Sequence, residues 1–252
     1  MSHEEEILKR RFTELASRSE VCGYFLFTDF MGLAEQSVFA SQAPFFGKAR
    51  YKLFGGADGT ERVMARFGDE EELGYSEDFP IKILKSEPKS ERFAQSLSHR
   101  DFLGAILNLG IERSCVGDIV IIDNVGYIFV KEDMAQYVAD SLVKVKNTDM
   151  RTFVCERLPV GELYKTETLK IQLSGVRIDA VVAKVFSVSR DASLSLFKKG
   201  LVFVNGKECQ SNSYQPKPSD VISVRGHGRF IFRGEVGLSR KGKIVAEIEI
   251  YR

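Results

Sequence analysis

"SRDASLSLFKKGLVFVNGK", Ser189–Lys207, is the stretch whose reading decides the fold of the C-terminal third. The Ser189 hydroxyl can accept one of the orphan amides at a helix start. Asp191 falls in the first turn, where the helix dipole favours an anion. Leu194 and Phe197 are three apart and are expected to face a neighbouring helix, leaving Arg190, Lys198 and Lys199 in solvent. Gly200 suits a left-handed helix stop. "LVFV" (201–204) then reads as a strand, and Asn205-Gly206 as a two-residue hairpin turn, because both central positions of that turn need positive φ.

Working outward, "VRIDAVVAKVF" (176–186) places Ile178, Val181, Val182 and Val185 at i, i+3, i+4 and i+7, one face of a helix. Arg177 and Lys184 share a different face. "DVISVRGHGRFIF" (220–232) and "GEVGLSRKGKIVAEIEIYR" (234–252) supply further strands and a hairpin whose turn carries Arg240, Lys241 and Lys243. The expectation is two short helices on a small twisted sheet, projecting cations from one side. Such an array suits phosphates, since each neutralised phosphate releases counterions, and exposed amides at a helix start serve the same end.

The charge distribution agrees. The whole chain of 252 residues has a net charge of +1. From Lys165 onward there are 16 Lys and Arg against 8 Asp and Glu, a balance of +8, and the first 164 residues hold 20 against 27, a balance of −7. A basic C-terminal third points to a polyanionic partner, most commonly nucleic acid.

"RIDAVVAKVFSVSRDASLSLFKKGLVFVNGK" (177–207) with "PSDVISVRG" (218–226) resembles the S4 RNA-binding domain. That family's pattern is R-[LI]-D, then S-R with a following alanine, a basic helix end, G-x-V-x-V-N-G and a G/S-D-x-I strand. The resemblance implies an αL-like fold that binds structured RNA through its two helices. Carried over by position, Arg177, Ser189, Arg190, Lys198, Lys199, Asn205 and Lys207 would face RNA. Asn205 and Gly206 can equally be turn residues, and Asp179 is expected to cap or pair locally. Lys184 would extend the track, and Arg225, Arg229, Lys241 and Lys243 would widen it.

The rest of the chain divides in two. Residues 4–19 have helical spacing, "EQSVFASQ" (35–42) reads as a helix stopped before Pro44, and "ARYKLFGGADGTERVMARF" (49–67) reads as two strands around a glycine turn. "GDEEELGYSED" (68–78) is acidic and is taken as the first boundary. A strand (79–88), a helix (99–110), a strand pair (117–130), a helix (131–145) and a strand (149–158) follow. That β-α-β-β-α-β order is the ferredoxin-like pattern that RNA-recognition domains also use. "VGELYKTET" (160–168) reads as a linker. Tyr127, Phe129 and Phe153 lie on these strands and could stack bases, but core packing is favoured, because the glycine-aromatic RNP1 pattern is missing. The expected fold class is therefore α+β: an N-terminal α/β unit (1–75), a ferredoxin-like, RRM-like middle domain (76–160) and a C-terminal S4 domain (168–252).

Several chemistries are excluded. The cysteines Cys22, Cys115, Cys155 and Cys209 are scattered, with no C-x-x-C and no histidine beside them, so reduced thiols are expected and zinc is not. "HRDFLGAILN" (99–108) misses the kinase spacing, with Ile106 where Asn is needed. "FGGADG" (54–59) lacks the G-K-[ST] ending of a phosphate loop. No apolar run approaches a membrane span, and the "MSHEEEILKRRF" start has no signal-peptide core, so a cytoplasmic location is expected. No cofactor is expected.

"LFGGADGTERVMARF" (53–67), "LSHRDFLGAILNLGIERSCVGDIVI" (97–121) and "VRGHGRF…KGKIVAEIE" (224–249) resemble the YlmH-type family of bacterial S4 proteins. That resemblance implies RNA binding at the large ribosomal subunit, including rescue of stalled nascent-chain complexes, and a link to cell division. The expected partners are ribosomal RNA or tRNA and the large subunit, with a protein partner possible at the acidic N-terminal region. The rivals are an RNA-modifying enzyme such as a pseudouridine synthase, for which the only R-x-D segment lies in the S4 helix itself, and a protein-binding cell-division scaffold, which leaves the +8 region unexplained.

Overall fold

The computed structural model describes residues 3–156, 158 and 166–251. They form seven α-helices and three antiparallel sheets, a mixed α/β architecture. Two compact units are present, Met1–Leu163 and Tyr164–Arg252. The predicted linker at 160–168 lies outside the described residues as far as 165, and residues 166–168 belong to a strand.

The first unit opens with α1 (His3–Cys22), β1 (Leu26–Phe27), α2 (Leu33–Gln42), β2 (Tyr51–Phe54) and β3 (Met64–Phe67), with a sheet order β1-β3-β2. α1 buries Phe12 and Ala16, and α2 buries Val38 and Phe39. Phe12, Phe39, Phe46 and Phe67 meet edge-on at 5.1–5.2 Å between consecutive centroids, the geometry that aromatic quadrupoles favour. The acidic stretch folds into a one-turn helix, α3 (Glu70–Leu73). Asp69 caps it by accepting from the Glu71 and Glu72 amides, and Gly74 ends it at φ 76°. Arg50 reaches Asp69 at 3.2 Å and Arg66 reaches Glu70 at 2.8 Å, so part of the negative charge is compensated locally.

The chain continues through β4 (Ile81–Pro88), α4 (His99–Leu107), β5 (Val116–Ile122), β6 (Val125–Lys131), α5 (Glu132–Ser141), β7 (Lys144–Val145) and β8 (Thr148–Cys155). The sheet order is β5-β6-β4-β8-β7. The helix expected over 131–145 stops at Ser141. Lys146 takes φ 52° in a tight turn, and Lys144–Val145 turns back to pair with Thr148 and Asp149 as the short β7. One sheet face buries Leu84, Val116, Ile128, Val130 and Met150 with Phe102 and Ile106 of α4 and Val138 of α5. On the opposite face, Val120, Tyr127 and Phe129 bury against Phe30 and Met64 from the N-terminal segment. Tyr127 and Phe129 are thus core, as favoured, whereas Phe153 is 38% exposed.

Asp118 ties the two segments together. Its buried carboxylate accepts the Glu61 and Arg62 amides at 2.6 and 3.1 Å. The Arg62 guanidinium then donates to the carbonyls of Phe30, Arg113 and Val116. The "FGGADG" turn packs on the same core, and a side chain at Gly56 would meet the Phe129 ring at 2.6 Å.

The second unit holds β9 (Thr166–Leu173), α6 (Ile178–Val185), α7 (Arg190–Lys198), β10 (Val202–Val204), β11 (Lys207–Glu208), β12 (Val221–Val224), β13 (Gly228–Leu238) and β14 (Ile244–Tyr251). Its six strands run β11-β10-β12-β13-β14-β9. β9 is a strand beyond those expected from the sequence, and it pairs with β14 along its whole length, from Leu173↔Ile244 to Thr166↔Tyr251. α6 buries the apolar stripe Ile178, Val181, Val182 and Val185 as its spacing requires. On α7, Ser193 and Phe197 are buried and Leu196 packs on the core, while Leu194 is only half-buried. The residue expected beside Phe197 is therefore replaced by a serine, whose hydroxyl donates to the Asp179 carbonyl at 2.8 Å. Gly200 has φ 63°, and Asn205 and Gly206 have φ 49° and 76°, the stop and the turn their residue types imply.

Candidate nucleic-acid interface

The candidate cations of the second unit are carried by different elements and form separate groups. Arg177 is the N-cap residue of α6, Lys184 lies two turns further along it, Arg190 opens α7, and Lys243 comes from the β13–β14 turn. All four line one cleft of about 680 Å³, together with Gln172 and Ser174 at the end of β9. Ala180 and Ala183 also line it.

A buried carboxylate organises the cleft. Asp179 accepts from Arg177 Nε at 3.1 Å and Nη2 at 3.3 Å, and from Arg190 Nη2 at 3.5 Å. It also accepts the Ala180 amide at 2.9 Å. The arginine side chains remain 44% and 61% exposed while the Asp179 side chain is 2% exposed. Two guanidinium groups are thus anchored at the protein side and open at the solvent side. The Asp179 carboxylate is thereby enclosed by its own partners. The sequence marked Asp179 as a local cap or partner; that it joins the starts of both helices is a tertiary fact.

The remaining candidates lie elsewhere. Ser189 spends its hydroxyl on the Ala192 amide at 3.1 Å, as the N-cap reading requires. Lys198 and Lys199 are exposed at the far end of α7, where cations also favour the helix dipole. Lys207 is exposed on β11 next to Glu208, whose carboxylate lies 3.1 Å from where a Gly200 side chain would start, so the hairpin tip approaches the end of α7. Asn205 is engaged in the turn. It donates to Asp220 at 2.8 Å and accepts the Val221 amide at 2.9 Å. Asp220 also accepts the Tyr214 hydroxyl at 2.7 Å and the Lys217 amide at 2.9 Å. Burial, reinforced by that carboxylate, pushes the Tyr214 phenol up to about 12. Arg225 lies 4.5 Å over the Phe203 ring. Arg229 lines a second hollow of about 440 Å³ with Ser187, His227 and Phe186, whose ring stands 5.6 Å from the imidazole. Lys241 is exposed on the β13–β14 turn.

Comparison with known proteins follows this geometry. Residues 75–156 match the family model described as "Putative RNA-binding domain in YlmH". Over 222 residues the chain is 30% identical to the ribosome-associated protein quality control protein P2 of Bacillus subtilis (strain 168), covering 86% of this chain and 83% of that protein. The chain belongs to the YlmH family. A shorter match, 43% identical over 56 residues, is to the small ribosomal subunit protein uS4 of Fervidobacterium nodosum, covering 22% of this chain and 27% of that protein. Among solved structures, the cell division protein ylmH from Streptococcus pneumoniae covers 62% of this chain and 93% of its own at 19% identity, with a TM-score of 0.49. As a YlmH-family protein, the chain carries the segment that this family model describes and has a ribosome-associated relative. Among the described residues no helix is long and apolar enough to cross a membrane, and no cluster of side chains could hold a metal ion.

Proposed function

We propose that this YlmH-family protein binds structured RNA, ribosomal RNA or tRNA, without catalysing a reaction on it, and that it works in the cytoplasm on the large ribosomal subunit in translation or ribosome quality control. The observation that carries this reading is the cleft: four cations from α6, α7 and the β13–β14 turn, two of them anchored on buried Asp179. Fixed guanidinium groups pair with phosphates at a lower ordering cost than free ones. The second unit is read as an S4 domain, with the R-I-D and S-R signatures supplying Arg177, Asp179 and Arg190. The first is read as an N-terminal α/β lobe (1–75) followed by a ferredoxin-like lobe (76–160), which the strand order β5-β6-β4-β8 supports.

The test is co-sedimentation of the full chain with separated ribosomal subunits across a salt series, alongside Lys184→Ala with Arg190→Ala. Saturable large-subunit binding is expected, and the double variant should lose affinity with a log–log salt slope shallower by about two, near one unit per lost phosphate contact. An unchanged slope in a folded variant would remove the cleft from the interface. Saturable binding to the small subunit alone would reassign the partner.

A further inference from the structure

The face of the β5-β6-β4-β8 sheet that carries Tyr127 and Phe129 is closed at those rings by Phe30 and Met64. Phe153 on β8 is the ring of that face that stays in solvent. In register, Phe153 stands opposite Lys85 of β4, and Arg151, two residues before it on the same face, stands opposite Glu87. Lys85 Nζ and Arg151 Cζ lie 5.8 and 5.7 Å from the Phe153 ring centre. Glu87 holds both cations: Lys85 at 2.7 Å, and Arg151 through Nε at 3.0 Å and through Nη2. Two cations that lie over the partly exposed Phe153 ring share one carboxylate, so the group retains one net positive charge.

We infer that Phe153, Lys85 and Arg151 form a second RNA contact, which takes one unpaired nucleotide: the base stacks on the Phe153 ring and its phosphate pairs with the two cations. A π-face stacks any base, and adjacent fixed cations answer the phosphate. The stacking position lies on β8 because Phe30 and Met64 cover the middle of the sheet. This contact rests on the RNA-binding reading and adds a single-strand specificity to it.

The experiment uses the full chain with two probes, fluorescein-labelled oligouridine followed by anisotropy and purified large subunits followed by co-sedimentation. Phe153→Ala should weaken oligouridine binding about 5- to 150-fold, the range base–aromatic stacking supplies. Phe153→Trp should restore it, and thermal melts should show both variants folded. The Phe153→Ala variant should keep a saturable subunit complex through the cleft. Equal oligouridine affinity in Phe153→Ala and parent, or no oligouridine binding by the parent, overturns the second contact while leaving the cleft standing. Binding of neither oligouridine nor large subunits by the parent overturns the RNA reading and the second contact with it.

Discussion

Asp179→Asn gives the sharpest test of how the cleft works, because two physical effects pull in opposite directions. The substitution removes a negative charge from a surface read as binding a polyanion; with the two guanidinium groups between carboxylate and phosphate, at about 7 Å in a water-like dielectric, the change in Coulomb energy is about 0.6 kcal/mol in favour of RNA. It also frees Arg177 and Arg190, whose guanidinium groups the carboxylate holds at 3.1–3.5 Å. Re-ordering two rotamer-rich side chains on binding costs about 0.5–1.5 kcal/mol each, or about 1–3 kcal/mol together. The net is about 1 kcal/mol against binding, roughly a fivefold weaker complex. Stability should fall as well. The hydrogen bond from the Ala180 amide loses its charged acceptor, and the half-exposed arginines add little. A loss of about 1–3 kcal/mol follows, read as a lower melting temperature by differential scanning fluorimetry. Subunit co-sedimentation at fixed salt then reads the affinity. Binding as tight as the parent's, or tighter, in a folded Asp179→Asn protein would refute the anchoring argument and leave simple charge density as the explanation.

Other outcomes follow from the packing. Phe197→Ala removes a ring that is 7% exposed in the core of the second unit and should cost about 3–5 kcal/mol; a thermal melt no lower than the parent's would show the ring contributes nothing. Gly126→Ala would put a methyl 2.6 Å from the fully buried Phe102 ring and should cost about 1–3 kcal/mol in urea unfolding of the first unit, whereas an unchanged midpoint would mean the ring moves freely. The Ser98 hydroxyl, followed by Lys146, holds the Asp101 carboxyl down at about 2. A depressed carboxylate contributes stability above its unfolded value, and that contribution is lost as pH falls through about 2. Ser98→Ala should raise the Asp101 titration midpoint and move acid unfolding to higher pH; an unmoved carboxyl chemical-shift titration would contradict this.

Signals confined to a few neighbouring residues were legible in the sequence. Ser189 caps α7, Gly200 stops it, Asn205-Gly206 turns the hairpin, and the 178–181–182–185 stripe is buried. Each is a local preference of φ, of an orphan amide or of helical period, and needs no distant partner. The R-I-D and S-R signatures likewise single out Arg177 and Arg190, which line one cleft in the structure. What required the tertiary structure was every fact that depends on residues remote in sequence. Residues 169–173 of β9 alternate apolar and polar, but the place of β9 at the sheet edge is set by its pairing with the remote β14. Lys243 joins Arg177 and Arg190 only because the β13–β14 turn ends beside α6, while Lys198 and Lys199, equally basic in sequence, lie at the far end of α7. Tyr127, Phe129 and Phe153 are equivalent by alternation, since all three side chains leave the same face of the sheet. The N-terminal lobe covers the first two and leaves the third exposed, because burial depends on what a distant segment brings to the face.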